Sequence, residues 1–254
     1  GPYVSKPAHD LATEAITGVL SITQGQDGEP AMPGMAGADM ISSMMTLSAL
    51  LMALYRREKT GQGDYIDIAM ADSLFAAVPN NLGTTFAEKS PPDLKHERAL
   101  GGYAMYQIYP TSDGKHVVIG GSELHFAEAI LEKLGRPDLL ELCQPPPGPH
   151  QDPVKKFLRE TFLTRTRDEW VTFFDGINAA FAPVNNLREA ADDPQLRHRK
   201  MVVEDERGWE HVGIPMKFLN EPGEMILKFA EAGQHTRDVL SELGYSDTEI
   251  DQMA

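Results

Sequence analysis

The 254-residue chain has a single cysteine, Cys143, so no internal disulfide can form and a reducing, cytoplasmic setting is expected. It is also short of cations. Lys and Arg number 23 against 38 Asp and Glu, a formal net charge of -15. So acidic a surface repels phosphate backbones, and nucleic acid is not expected as a partner. A small anionic ligand is still allowed, because a local basic pocket or a helix N-terminus overrides the global field. A run of the roughly 20 apolar residues that a membrane helix needs is missing. The most apolar stretch, Met40 to Tyr55, is broken by Ser42, Ser43, Thr46 and Ser48, so no membrane partner is expected. No basic segment followed by an apolar one opens the chain, and no secretory signal is read there. P-loop, GxSxG and CxxC motifs are absent. His96, His116, His125, His150, His198, His211 and His235 lack metal-ligand spacing, so neither a metal nor a nucleotide cofactor is expected.

What is present is an alternation of helical and strand-like patterns. Leu11, Ala15, Val19 and Leu20 recur at helical spacing after Asp10, a candidate N-cap. Residues 25–37 hold four Gly and two Pro and read as a loop. A long helix is predicted from about Ala38 to Glu58. It is uncharged from Met40 to Tyr55, so it is expected to be buried on most of its surface. Gly61 and Gly63 end it, with Arg56, Arg57 and Lys59 near its negative terminus. Asp64 to Met70 alternates like a strand and leads into a helical stretch, Ala71 to Val78. Glu88 to Glu97, with Pro91-Pro92, reads as a linker. Beyond it, Tyr103–Tyr109 and His116–Ile119 form a predicted hairpin around Ser112-Asp113-Gly114. Helices are predicted over Glu123–Leu134, Val154–Leu163 and Arg167–Ile177, with a proline-rich loop at 145–149. Met201–Ile214 is strand-like, and a last helix runs from Thr236 to Leu243, closed by Gly244.

Five segments, in order, carry a resemblance. Lys59 to Asp72 (KTGQGDYIDIAMAD) is similar to the "KTGxGxxVDVxMxD" signature of the class III CoA-transferase superfamily, the CaiB/BaiF group. Gly1-Pro2-Tyr3 with Pro7 to Asp10, Tyr109 to Lys115, Pro183-Val184-Asn185 with Asp193-Pro194-Gln195, and Gln234 to Tyr245 resemble four further segments of that superfamily. It includes formyl-CoA transferase and α-methylacyl-CoA racemase.

The resemblance implies an α/β fold: a remnant of a Rossmann-like large domain plus a small α+β domain, in a family of interlocked homodimers. It implies large-domain sequence at 1–87, a linker at 88–97, the small domain at 98–182, and a return to the large domain at 183–254. Members begin with a Rossmann-like half that supplies most CoA contacts. This chain starts where that half is ending, so exposed apolar helix faces and a need for a partner are expected. The implied substrates are an acyl-CoA thioester and a carboxylic acid.

By the same resemblance Asp39 is the catalytic carboxylate, with Gly37 and Ala38 before it as substrate contacts. From position alone Asp39 is an N-cap aspartate at a helix start. Accepting backbone N–H bonds there, and partly desolvated, it would stay charged and could attack a thioester to form a mixed anhydride. His9 matches the histidine that exchanges the α-proton in the racemases, where transferases usually carry an aromatic residue. Glu123 matches the glutamate that orients it. From position alone, His9 is a helix-entry residue and Glu123 a helix-start carboxylate. Met70 matches a methionine lining the acyl pocket, although such methionines are more often core. The glycine-rich loop of formyl-CoA transferase is not evident here; its nearest candidates are Gly101-Gly102 and Gly120-Gly121. One departure concerns Met40-Ile41-Ser42-Ser43-Met44, which replaces the glycine-rich run that follows the aspartate in racemases. CoA transfer through Asp39 is therefore the favoured reading. Racemisation by His9 and Asp39, and a non-catalytic assembly subunit, are the alternatives.

Overall fold

The computed structural model describes residues 1–25 and 28–253, so part of the loop expected at 25–37 lies outside the described residues. The first helical pattern is two helices, α1 (Asp10–Ile16) and α2 (Val19–Ile22), separated at Gly18. Asp10 does not cap α1. His9 occupies the cap position without a side-chain bond, and the Asp10 carboxylate is used elsewhere. The long predicted helix is α3 (Gly37–Thr60), and Gly61 closes it in the left-handed conformation (φ 73°), its N–H donating to the Arg57 carbonyl. Helices α4 (Met70–Ala76) and α5 (Pro79–Glu88) follow. The sequence reading missed α5, although Pro79 sits at its first turn and Leu82 and Phe86 are four apart.

Two expectations for this region fail. Only Ala38 and Ser42 of α3 are buried, while Met44, Met52 and Tyr55 are 63%, 72% and 68% exposed. Among the described residues its apolar flank is left largely uncovered, and by length and composition α3 would suffice to cross a membrane, contrary to the sequence expectation. A soluble core helix meets the same criterion. Asp64 to Met70 is not a strand, because among the described residues no segment pairs with it. Tyr65 there is almost fully exposed.

The hydrophobic core lies farther along. Strands β1 (Tyr106–Pro110) and β2 (His116–Gly120) form the expected antiparallel hairpin, and β3 (Phe181–Pro183) adds to β2. Helices α6 (Leu124–Lys133), α7 (Asp152–Phe162) and α8 (Arg167–Phe173) belong to the same block. Alternation puts Tyr109, Val117 and Ile119 inward, where they join Ile130, Leu131, Leu158, Phe162 and Trp170 in one buried cluster. Phe162 is its centre. Its ring meets Trp170 edge-on at 5.1 Å and Tyr109 at 5.3 Å. The polar ends of this core are satisfied: Trp170 Nε1 donates to the Phe162 carbonyl and Tyr109 Oη to that of Ala104. Burial pushes the Cys143 thiol up to about 11. That cysteine is a packing residue rather than a nucleophile.

The chain divides into two compact units after Val184. Pro183 therefore belongs to the first unit and not to the expected return at 183: it pairs with Val117, and the Val184 N–H donates to the His116 carbonyl. In the second unit, α9 (Leu187–Ala191) and α10 (Pro194–His198) precede the hairpin β4 (Val202–Glu204) and β5 (Glu210–Val212). Helices α11 (Thr236–Glu242) and α12 (Asp247–Met253) close the chain. The last was missed, although Ser246 and Glu249 form a capping pair: the Glu249 carboxylate accepts from the Ser246 N–H and hydroxyl. Arg188 and Arg197 both bind Glu210 and Asp192.

Phe162→Ala should cost about 3–5 kcal/mol by the loss of a fully buried ring. Chemical denaturation measures this, and a cost near zero would contradict its central place. Glu210 is held down to about 2 by its bonds to Arg188 and Arg197. A lowered carboxylate pKa stabilises the fold above the ordinary value of 4.5 and loses that contribution as pH falls toward 2. The NMR titration midpoint of Glu210 should therefore lie well below 4.5 and rise in Arg188→Ala. An unshifted midpoint would dissolve the network.

Candidate active site

The start of α3 is held by α1. The first amides of a helix have no partner within it and need capping from outside. Ala36, at the cap position, has no side-chain oxygen to offer. Instead Asp10 Oδ1 accepts from the amides of Ala38 (2.7 Å) and Asp39 (3.1 Å), and Glu14 Oε1 accepts from that of Gly37 (3.1 Å). Asp10 and Glu14 are four apart, on one face of α1. The next amide, Met40 N–H, makes the first bond within α3, to the Ala36 carbonyl. Every backbone donor from residue 37 to 40 is thus engaged.

Glu14 is 2% exposed, and its second oxygen is buried without a hydrogen-bond partner among the described residues. The junction is tight at Gly37. A Cβ there would lie 2.8 Å from Glu14 Oε1, which explains the glycine. Leu74, from α4, is buried under the same point, so α1, α3 and α4 pack together.

This arrangement corrects the N-cap reading of Asp39. It is the third residue of α3 and exposed, and it caps nothing. Its carboxylate makes no hydrogen bond among the described residues, while its carbonyl accepts from the hydroxyls of Ser42 (3.2 Å) and Ser43 (2.7 Å). The crowded run after Asp39 thus folds two of its polar groups back onto the helix. Asp39 is a free carboxylate at the positive end of a long helix dipole.

The other sequence candidates fall at differing distances from this junction. His9 immediately precedes Asp10. It is exposed and extended (φ -131°, ψ 172°), and its carbonyl anchors Thr13 through both the N–H and the hydroxyl. Its neighbour is bonded to the amide of Asp39, so α1 brings both candidates to one place. Met70, half-buried, opens α4. Ala38 is fully buried and its amide, like that of Gly37, is taken by α1; neither amide is free for a ligand. Glu123 is the exposed cap residue of α6, and among the described residues no hydrogen bond or ion pair joins it to His9 or Asp39. Gly101 and Gly102 are structural in this chain. A Cβ on Gly102 would lie 2.5 Å from the Glu97 carbonyl oxygen, and Gln107 Nε2 donates to the Gly101 carbonyl. A groove of about 500 Å³ lies between α2 and α5, lined by Ile22, Phe75, Val78 and Leu82 among others, and holds none of these candidates. No group of His, Cys, Asp and Glu among the described residues suits a metal ion.

The family pattern of CoA-transferase family III matches residues 1–236. The chain belongs to that family. Human succinyl-CoA:glutarate CoA-transferase is 26% identical over 268 residues, which cover 100% of this chain and 59% of that protein. Human α-methylacyl-CoA racemase is 29% identical over 265 residues, covering 100% of this chain and 66% of that one. The chain therefore spans about three-fifths of the length of the human transferase. A crystal structure of a CaiB/BaiF family protein from Brucella suis superposes with a TM-score of 0.74 at 23% identity, over 96% of this chain and 65% of that one. That likeness concerns the fold, a mixed helix and sheet architecture. CoA-transferases and racemases are both among the relatives.

Gly37→Ala should push Glu14 aside and lower stability by about 1–2 kcal/mol, read as a fall in Tm. An unchanged Tm would mean that the junction is looser than its 2.8 Å clearance requires.

Proposed function

We propose that the protein moves coenzyme A between carboxylic acids, with Asp39 as nucleophile. One observation carries the reading: the Asp39 carboxylate is unengaged at the start of α3, where Asp10 and Glu14 already occupy the surrounding amides. A carboxylate free of hydrogen bonds keeps its lone pairs for attack. Its oxygen would bond to the acyl carbon of the thioester as the carbon–sulfur bond breaks, the CoA thiolate leaving with the electron pair. The thiolate then attacks the Asp39 carbonyl of this anhydride, releasing the first carboxylate and leaving an aspartyl-CoA thioester. The acceptor carboxylate attacks that thioester, forming a second anhydride and expelling the thiolate, which attacks the acceptor's acyl carbon to give the new CoA ester and free Asp39. The resemblance to the human transferase, whose name pairs succinyl-CoA with glutarate, supports small carboxylic acids as substrates. A homodimer in the cytoplasm goes with this reading.

A second reading rests on His9. Exposed, and next to the residue that binds Asp39's amide, it could share an α-proton with Asp39, as two bases flanking one carbon require. The 29% identity to the human racemase favours this reading as well.

The experiment uses the full-length protein in deuterated water. It is given succinyl-CoA with glutarate, or (S)-2-methylbutanoyl-CoA with and without an acceptor acid. Transfer predicts new CoA ester only when an acceptor is present and no deuterium at the α-carbon. Deuterium uptake without an acceptor would instead establish the racemase, and His9→Phe should then abolish it. Asp39→Ala should lower either activity about a thousandfold or more. Full activity in that variant would refute the assignment.

A further inference from the structure

We infer that Asp10 is a positioning residue for Asp39, holding the first turn of α3 so that the nucleophile's carboxylate stays unbound; this rests on the reading of Asp39 given above. Asp10 Oδ1 is shared by two consecutive amides, those of Ala38 and of Asp39 itself. These bonds reach across 28 and 29 residues of sequence, so they fix the relative placement of two helices as well as cap one. Ordinarily a helix start is capped by its own residues, with a carboxylate at the third position folding back toward the cap, as Glu169 and Glu189 do in this chain. Asp39 holds that same third position in α3, and its carboxylate does not fold back. The difference between the three helices is the source of the cap: Thr166 and Asn186 cap their own, whereas α3 has Ala36 at its cap position and borrows Asp10. Without Asp10, the amides of Ala38 and Asp39 would be open donors beside the nucleophile, and its carboxylate would be drawn onto them. A nucleophile so engaged attacks more slowly while the substrate still binds.

The test uses the full-length protein and the substrates named above. Asp10→Asn keeps an oxygen in place to accept both amides, and Asp10→Ala removes it. In Asp10→Ala, kcat should fall about tenfold to a hundredfold, with KM within about threefold of wild type. Asp10→Asn should recover kcat to within about threefold. Amide hydrogen exchange at Ala38 and Asp39 should accelerate in the Ala variant only. Wild-type kcat in Asp10→Ala, with Asp39→Ala inactive, would overturn the inference and leave the nucleophile standing. Parallel loss of kcat and Tm in both variants, with no recovery by Asn, would overturn it too, since Asp10 would then be structural alone. Wild-type activity in Asp39→Ala would instead sink the reading on which the inference rests.

Discussion

Everything proposed for this chain hangs on a cap supplied from another helix. The start of α3 follows a Gly- and Pro-containing loop and an alanine, so it has no oxygen of its own for its first amides. Asp10 and Glu14 provide three bonds from α1. Those bonds satisfy donors that would otherwise be buried or wet, and they join residues 23 to 29 positions apart in the chain. They also determine what Asp39 is free to do. A local cap would have consumed an aspartate at the helix start; a distant one releases it.

The junction carries a visible cost. Glu14 is buried with one carboxylate oxygen unpaired among the described residues, and such a group costs about 1–3 kcal/mol. Gly37, which costs up to about 1 kcal/mol relative to alanine in a helix, admits the close approach. Neither feature is what stability alone would choose. Polar groups left imperfectly paired tend to sit at functional sites, and here Glu14 accepts from the amide of Gly37, two residues before the proposed nucleophile.

Much of this was legible in the sequence, where the governing forces are local. Gly61 and Gly244 marked helix ends because few other residues take a positive φ there. The turn at Ser112-Asp113-Gly114 and the alternation on either side of it specified the hairpin β1–β2 and the inward face of the core. What failed depended on partners. Asp64 to Met70 alternates as a strand should, but a strand exists only as half of a ladder, and none is offered to it among the described residues. The apolar composition of α3 read as burial, yet composition states what a surface could bury and not what covers it. Asp10 read as the cap of its own helix because capping patterns are short-range, whereas its carboxylate acts 28 residues away. β3 has only three residues and owes its pairing to β2.

The same distinction bears on the choice between transfer and racemisation. Both proposed reactions would draw on the carboxylate of Asp39, and the cap from α1 holds its helix in either case. What separates them is whether a second base faces the same carbon. His9 stands one residue before the capping aspartate, so any force that fixes Asp10 against Asp39 also fixes the backbone that carries the imidazole. Its ring, however, has no hydrogen-bond partner among the described residues, Glu123, the group matched to hold it, included. A base whose tautomer and orientation are unsupported is a poor proton shuttle, since which nitrogen carries the proton is set by what the other one bonds. A nucleophile needs no such support beyond its own anchored helix.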